Sequence, residues 1–122
     1  MPAAIYDTLL LDENGNILEG LGANFYAVMN DTLRTANEGV LYGTSRQIVL
    51  EVAPDVLPVV TEPVTTDDTP RLQEAFISSS SRTVLPVVEI DGVTIGDGTP
   101  GKFTLETRQR YLDWTDAHLQ EL

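Results

Sequence analysis

Alternation of apolar and polar residues predicts short strands in the first third of the chain. These strands cover residues 4–11, 17–19, 24–30 and 32–35. The third is apolar on both faces, which is typical of a strand covered on both sides. Asn14-Gly15 predicts a tight hairpin between the first two strands, because this pair readily adopts positive φ angles. Asn30-Asp31 predicts the next turn, so this region is expected to form a β-meander.

The rest of the chain mixes helical and strand patterns. A helix is predicted from the segment 43–46, where a hydroxyl can cap it, to the residue before Pro54. A second, short helix is predicted to begin at Thr69-Pro70, and a third at Thr104, with Leu105, Leu112 and Leu119 at seven-residue spacing and Tyr111 beside them. Short strands are predicted over residues 57–61, 75–77, 84–90 and 93–95, the last two forming a hairpin across Asp91-Gly92.

Composition indicates one globular domain and excludes several classes of partner. The 122 residues are 42% hydrophobic and 21% charged. A net charge of −12 argues against nucleic acid and against anionic membrane surfaces, since both need clustered Lys and Arg. The absence of cysteine excludes disulfides and thiolate zinc sites, and the single histidine, His118, gives no basis for a multi-histidine metal site. No apolar run is long enough to span a membrane, so the cytoplasm is the expected compartment.

Glu19 lies at the end of a predicted strand and is followed by two glycines, Gly20 and Gly22. Glycines let the backbone approach another group closely. Glu19 is therefore interpreted as a fixed anion that faces a ligand. An ordinary acidic turn between two strands is the alternative.

Two further segments carry groups that bind anions. The helix start at Gly43-Thr44-Ser45 offers unpaired amides and two hydroxyls, which suits phosphate, although plain capping of the helix is the alternative. Four serines, residues 78–81, lie between apolar strands and predict a polar pocket. The alternative for the serines is a turn held by local side-chain hydrogen bonds.

Four segments, in order, resemble the C-terminal large domain of the fold-type IV pyridoxal-phosphate enzymes. This class contains branched-chain aminotransferases, D-amino acid aminotransferases and aminodeoxychorismate lyase. The segments are residues 18–25, similar to the family's Glu-Gly-x-x-x-Asn-Phe motif, residues 39–46, similar to Leu-Pro-Gly-Ile-Thr-Arg, the strand and serine loop 76–82, and the closing segment 90–101. The resemblance implies an α/β (α+β) fold, a mixed-sheet pseudo-barrel with flanking helices, in which residues 1–122 form one partial domain.

The resemblance also implies a role for each matched residue toward pyridoxal 5'-phosphate. Glu19 would pair with the pyridine nitrogen and keep it protonated, so that the ring acts as an electron sink. Leu41 would pack on the ring face. Thr44 and Ser45 would hold the phosphate at the helix start, and Ser80 would add a hydroxyl to it.

Three residues are implied around the substrate and the turn. The amides of Ser80 and Ser81 would face the substrate carboxylate, and Asn24 would fix the turn that aims Glu19. No metal ligand is expected. Amino acids and 2-oxo acids would be the substrates of the parent enzyme.

The chain departs from the family at the catalytic lysine, which forms the Schiff base with the cofactor and lies upstream of the Glu-Gly motif. No lysine precedes Glu19 here, and the sole lysine, Lys102, is predicted to lie in the terminal loop as a surface residue. The family's N-terminal small domain has no counterpart either. We therefore expect a truncated domain of a branched-chain-type transaminase that is inactive alone, needs the small domain as a partner and follows the family's homodimeric assembly. An aminodeoxychorismate lyase-type fragment and a non-enzymatic binding module or scaffold are the alternatives.

Overall fold

The computed structural model describes residues 9–20, 23–37, 43–79 and 83–118. The strands are β1 (Leu9–Leu11), β2 (Ile17–Gly20), β3 (Ala23–Met29), β4 (Thr32–Arg34), β5 (Val59–Val60), β6 (Glu74–Ser79), β7 (Thr83–Val87), β8 (Glu89–Ile90) and β9 (Val93–Thr94). The α-helices are α1 (Thr44–Val52) and α2 (Lys102–Ala117), and 3-10 helices cover Ala53–Asp55 and Thr66–Arg71. None of the helices in these ranges is long and apolar enough to cross a membrane.

Strand β3 organises the main sheet. It pairs antiparallel with β2, β4 and β6, while β1 extends the sheet from β2 and β7 extends it from β6. Strand β5 joins β4 in parallel, so the sheet is mixed. Strands β8 and β9 form a separate hairpin. The predicted mixed-sheet α/β fold is confirmed.

Burial on both faces of β3 divides the core into two clusters. Phe25 and Ala27 pack on one face with residues such as Ile77 and Ile95. Tyr26 and Val28 pack on the opposite face, against α1 and α2. The prediction that this strand is apolar on both faces is therefore confirmed.

The predicted turns differ in detail. Asn30 and Asp31 have φ angles of 55° and 57°, as a tight β3–β4 turn requires. In the first hairpin only Gly15 has a positive φ, of 79°. The carboxylate of Asp12 closes that loop by accepting hydrogen bonds from the backbone N–H groups of Asn14 and Asn16.

Three predicted elements of the second half are shifted. The short helix begins at Thr66, because Thr65 and Asp68 form a reciprocal capping box, so Pro70 lies inside it. The expected strand 84–90 is divided, with β7 pairing to β6 and β8 pairing to β9. The final helix begins at Lys102, which is exposed on the helix and not in a loop.

The predicted apolar repeat of α2 is buried only in part: Tyr111 is buried, and Leu119 lies outside the described residues. Leu105 is 48% exposed, and the buried residues of the helix are Thr104, Thr107 and Tyr111. These three follow the three- to four-residue spacing of one helix face. Small threonine side chains fit where this helix meets the sheet, so the seven-residue leucine repeat does not mark the interface.

A buried carboxylate from β6 holds the start of α2. Glu74 is 7% exposed, and its carboxylate accepts hydrogen bonds from the backbone N–H of Phe103 at 3.0 Å and of Thr104 at 2.7 Å. The Thr104 hydroxyl donates a third hydrogen bond at 2.7 Å. An anion at a helix N-terminus is stabilised by the unpaired amides and by the helix dipole. The prediction that Thr104 caps this helix is therefore wrong. Thr104 lies inside the helix and binds Glu74, which caps it.

Replacing Glu74 by Gln should lower the free energy of unfolding by roughly 1.5–3 kcal/mol, because hydrogen bonds to a charged acceptor are lost at a buried helix start. Urea denaturation of both proteins measures this. Glu89→Gln, at an exposed carboxylate of β8, is the matched control and should change stability little. Equal stability of Glu74→Gln and wild type would contradict the proposed capping role.

Gly101→Ala should destabilise the fold through the same contact. A Cβ added at Gly101 would overlap the Cδ and Cγ atoms of Glu74. We expect a loss of about 1–3 kcal/mol, typical of overpacking. In a Glu74→Ala background the added methyl group has space, so its cost should disappear. A double-mutant cycle measures this coupling, and strictly additive effects would disprove the contact.

Candidate functional site

Three polar residues lie side by side on three adjacent strands. Glu19 of β2 pairs directly with Asn24 of β3, and Asn24 pairs directly with Ser78 of β6. Directly opposed residues of antiparallel strands project to the same face. With neighbouring strands about 4.8 Å apart, the row from Glu19 to Ser78 spans roughly 10 Å. The sheet therefore places a carboxylate, an amide and a hydroxyl in one line.

The start of α1 lies beside this row. Gly43 is the N-cap, and no side-chain hydrogen bond within the described part of the chain caps the helix. A Cβ added at Gly43 would lie 4.0 Å from the Asn24 Oδ1 atom, so the helix start adjoins the middle of the row. The first-turn amides of a helix have no acceptor within the helix. Plain capping by Thr44 or Ser45, the alternative interpretation of this segment, is wrong.

The Ser45 hydroxyl points into the protein toward β6. Ser45 Oγ lies 3.3 Å from Ser78 Oγ, and Ser78 Oγ lies 2.6 Å from the Tyr26 hydroxyl. All three residues are buried, with exposures of 4%, 1% and 0%. Burial raises the pKa of the Tyr26 phenol well above its usual value, so this hydroxyl stays protonated. Three buried hydroxyls therefore connect the core to the helix start.

The starts of the two α-helices that the structure describes differ in what they bind. The N-terminus of α2 already holds the carboxylate of Glu74, whereas α1 has Gly43 as its N-cap and no side-chain cap hydrogen bond from a described residue. Helix termini attract anions through their amides and dipole. The start of α1 is thus the one of the two that is suited to an anion from outside the protein.

Arg46 ties the segment after β4 to the first turn of α1. It is 5% exposed, and its guanidinium donates hydrogen bonds to the Ala36 carbonyl at 3.1 Å and to Asn37 Oδ1 at 3.3 Å. These bonds hold the segment after β4 against the start of α1. In the sequence Arg46 is notable only as part of a motif, and the sequence does not predict its hydrogen-bond partners.

The structure brings four of the predicted site residues into one region: Glu19, Asn24, Thr44 and Ser45. Leu41, Ser80 and Ser81 lie outside the described residues. Ser78, predicted only as one of four serines, and Tyr26, predicted only as a strand residue, are the two members that were missed. Strand periodicity could have found Tyr26, because it shares a face with Asn24 two positions earlier.

Lys102 lies away from this region. It opens α2 beside Glu74, and Glu74 and Ser78 are four residues apart on β6, or roughly 13 Å along the strand. Its ammonium group sits 4.9 Å from the centre of the Phe103 ring. The expectation that Lys102 is a surface residue is confirmed, since its side chain is exposed. No group of three or more potential metal ligands occurs among the described residues.

Comparison with known proteins decides the family. A family model described as amino-transferase class IV matches residues 2–90. The chain belongs to this family. The predicted resemblance to class IV aminotransferases is thereby confirmed.

Individual class IV aminotransferases match nearly the whole chain. A Methanocaldococcus jannaschii protein, provisionally named branched-chain-amino-acid aminotransferase, is 32% identical over 114 residues, which are 91% of this chain and 40% of the relative. A D-alanine aminotransferase of Staphylococcus aureus is 30% identical over 105 residues, covering 84% of this chain and 37% of the relative. The chain thus spans about 40% of the length of these relatives.

Solved structures of aminotransferases share the fold. A branched-chain amino acid aminotransferase from T.th., solved in complex with N-(5'-phosphopyridoxyl)-L-glutamate, superposes with a TM-score of 0.81 at 33% identity, over 88% of this chain and 37% of that one. The Escherichia coli branched-chain enzyme superposes with a TM-score of 0.79 at 27% identity, over 84% and 36%. The expected fold-type IV architecture is confirmed.

The buried phenol predicts how stability falls in alkali. Unfolded tyrosine loses its proton above about pH 10, whereas folded Tyr26 keeps it because of burial. The contribution is therefore present below about pH 10 and is lost at up to about 1.4 kcal/mol per pH unit above it. Urea denaturation from pH 9 to 11.5 should show a shallower decline for Tyr26→Phe than for wild type. Glu51→Gln, at an exposed position of α1, leaves every tyrosine in place and should decline like wild type; identical slopes for all three would contradict the prediction.

Proposed function

We propose that this chain is the cofactor-binding part of a pyridoxal 5'-phosphate-dependent, branched-chain-type amino acid aminotransferase. The observation that carries the proposal is the row Glu19, Asn24 and Ser78 beside the uncapped start of α1. Residues 1–122 would form part of the large domain. Family membership supports the reaction class, and the branched-chain enzymes among the similar structures support the substrate class.

The donor and acceptor groups present fit this cofactor. A carboxylate at one end of the row suits a protonated ring nitrogen, and amides with a hydroxyl at the other end suit a phosphate. The row is long enough to place a ring and a phosphoester arm end to end. Asn24 lies between them, next to both Glu19 and the helix start.

Each residue then has a defined task. When bound, pyridoxal phosphate supplies an electron sink for carbanions at the amino acid Cα. The negative charge of Glu19 keeps a proton on the ring nitrogen. The first-turn amides and the Ser45 hydroxyl orient the phosphate, with Thr44 at the opening residue of the helix. Leu41, Ser80 and Ser81 would contribute the ring contact, a further hydroxyl and the amides for the substrate carboxylate.

We propose further that these 122 residues do not transaminate alone. Lys102 is the sole lysine in the sequence and lies at the far end of β6 from Ser78. The lysine that bonds to the cofactor, the small domain and the second subunit of a homodimer would come from the remainder of the aminotransferase. The 40% coverage of the relatives supports this division.

Binding of pyridoxamine 5'-phosphate to the purified chain tests the proposal, because this cofactor form has no aldehyde and needs no lysine. We expect saturable binding, measured by calorimetry and by a thermal shift. Glu19→Gln should weaken binding about tenfold or more, since a charged hydrogen bond to the ring nitrogen is lost.

Glu13→Gln is the matched control, because Glu13 is an exposed carboxylate of the same hairpin. It should bind like wild type. Equal affinities of Glu19→Gln and Glu13→Gln would show that Glu19 does not face the ring. Failure of the wild-type chain to bind would show that these residues do not suffice as a cofactor site.

A further inference from the structure

The donor and acceptor in each hydrogen bond among the three buried hydroxyls can be assigned from the partners that each hydroxyl has. Within the described residues, Ser78 is the single hydrogen-bond partner of the Tyr26 hydroxyl, at 2.6 Å. Tyr26 is 0% exposed, so no water replaces that partner. A buried hydroxyl that leaves its proton unpaired loses considerable free energy. Tyr26 therefore donates to Ser78.

This first donation determines the next. Ser78 Oγ accepts a hydrogen bond from the Tyr26 hydroxyl. The Ser78 hydroxyl can then donate its proton to Ser45 Oγ, the side-chain acceptor 3.3 Å away. Ser45 in turn accepts from Ser78, which leaves the Ser45 proton without an acceptor among the described residues. Ser45 is the second residue of α1, directly at the helix start. Its proton is thus available to an anion at that terminus.

We propose that Tyr26 is a positioning residue for the cofactor phosphate, acting through Ser78 to keep the Ser45 hydroxyl a donor. This inference rests on the proposed function, because it assumes that the phosphate binds at the start of α1. Tyr26 itself touches neither ring nor phosphate. It sets the direction of a chain of hydrogen bonds whose last member does.

Removing the Tyr26 hydroxyl should reverse the direction of the hydrogen bond between Ser78 and Ser45. In Tyr26→Phe the ring keeps its stacked contact with Phe76, whose centroid lies 4.6 Å away. Ser78 Oγ then has a free lone pair, and Ser45 satisfies it by donating inward. The phosphate loses one donor although no group that contacts it has been changed.

The test compares two probes that differ only in the phosphate. Pyridoxamine 5'-phosphate and pyridoxamine are titrated by calorimetry into wild type, Tyr26→Phe, Ser78→Ala and the double variant. Tyr111→Phe is the matched control, because Tyr111 is another buried tyrosine of the same cluster, at 4% exposure, and among the described residues no hydrogen bond joins it to Ser78 or Ser45.

Tyr26→Phe should weaken binding of the phosphorylated probe about tenfold, the loss expected for one hydrogen bond to an anion, and leave pyridoxamine unaffected. In a Ser78→Ala background the inward acceptor of the Ser45 proton is absent, so adding Tyr26→Phe should cause no further loss, and the double variant should bind no more weakly than Ser78→Ala. A general structural effect would weaken both probes together. Equal loss for both probes, or an equal effect of Tyr111→Phe, would overturn the proposal.

A second measurement keeps the two proposals separable. If the wild-type chain binds neither probe, the proposed function fails for this chain, and NMR then decides the role of Tyr26. Tyr26→Phe and Ser78→Ala should each shift the Ser45 amide and Cβ signals, while Tyr111→Phe leaves them in place. Unchanged Ser45 signals in Tyr26→Phe would show that no hydrogen-bond chain reaches the helix start.

Discussion

The pairing of β3 with β6 is the constraint on which the rest of this domain depends. It sets Asn24 opposite Ser78 and Tyr26 opposite Phe76, with both faces of the two strands buried. A slip of one residue would move every side chain of a strand to the other face. Such a slip would exchange the apolar residues of one core cluster with the polar row of the site. The burial that stabilises the sheet therefore also fixes the site.

Strand β6 contacts the first turn of each α-helix through a polar side chain near each of its two ends. Glu74 binds the first amides of α2, and Ser78 binds the Ser45 hydroxyl in the first turn of α1. Both helices consequently present their N-termini to the same strand. The start of α2 binds a protein carboxylate, and the start of α1 has no side-chain cap from residues 9–20, 23–37, 43–79 or 83–118. A buried anion within the protein and a bound anion from outside use the same property of a helix start.

Sequence patterns located most of the strands and the start of α1, but they misplaced the starts of the Thr66–Arg71 helix and of α2. The period-2 alternation around residues 23–29 and the Asn30-Asp31 turn depend on neighbouring residues only, and both predictions are confirmed. The cap of α2 is Glu74, which is distant along the chain. The local sequence pattern therefore favours Thr104, a residue inside the helix, as the cap. Leu105 shows the same limit, since a leucine repeat on a helix does not reveal which face meets the sheet.

The residues of the candidate site also differ in whether local sequence features reveal them. From the sequence alone, Glu19, Asn24, Thr44 and Ser45 could be singled out, because glycine-rich turns, helix starts and ordered motifs are local features. The sequence also indicated the family by resemblance and determined the charge of −12 and the absence of cysteine. Only the tertiary structure joined Tyr26, Ser78 and Ser45 into one chain of hydroxyls. Hydrogen bonds between residues 33 and 52 positions apart leave no periodic trace in a sequence, because strand register and helix packing bring such groups together.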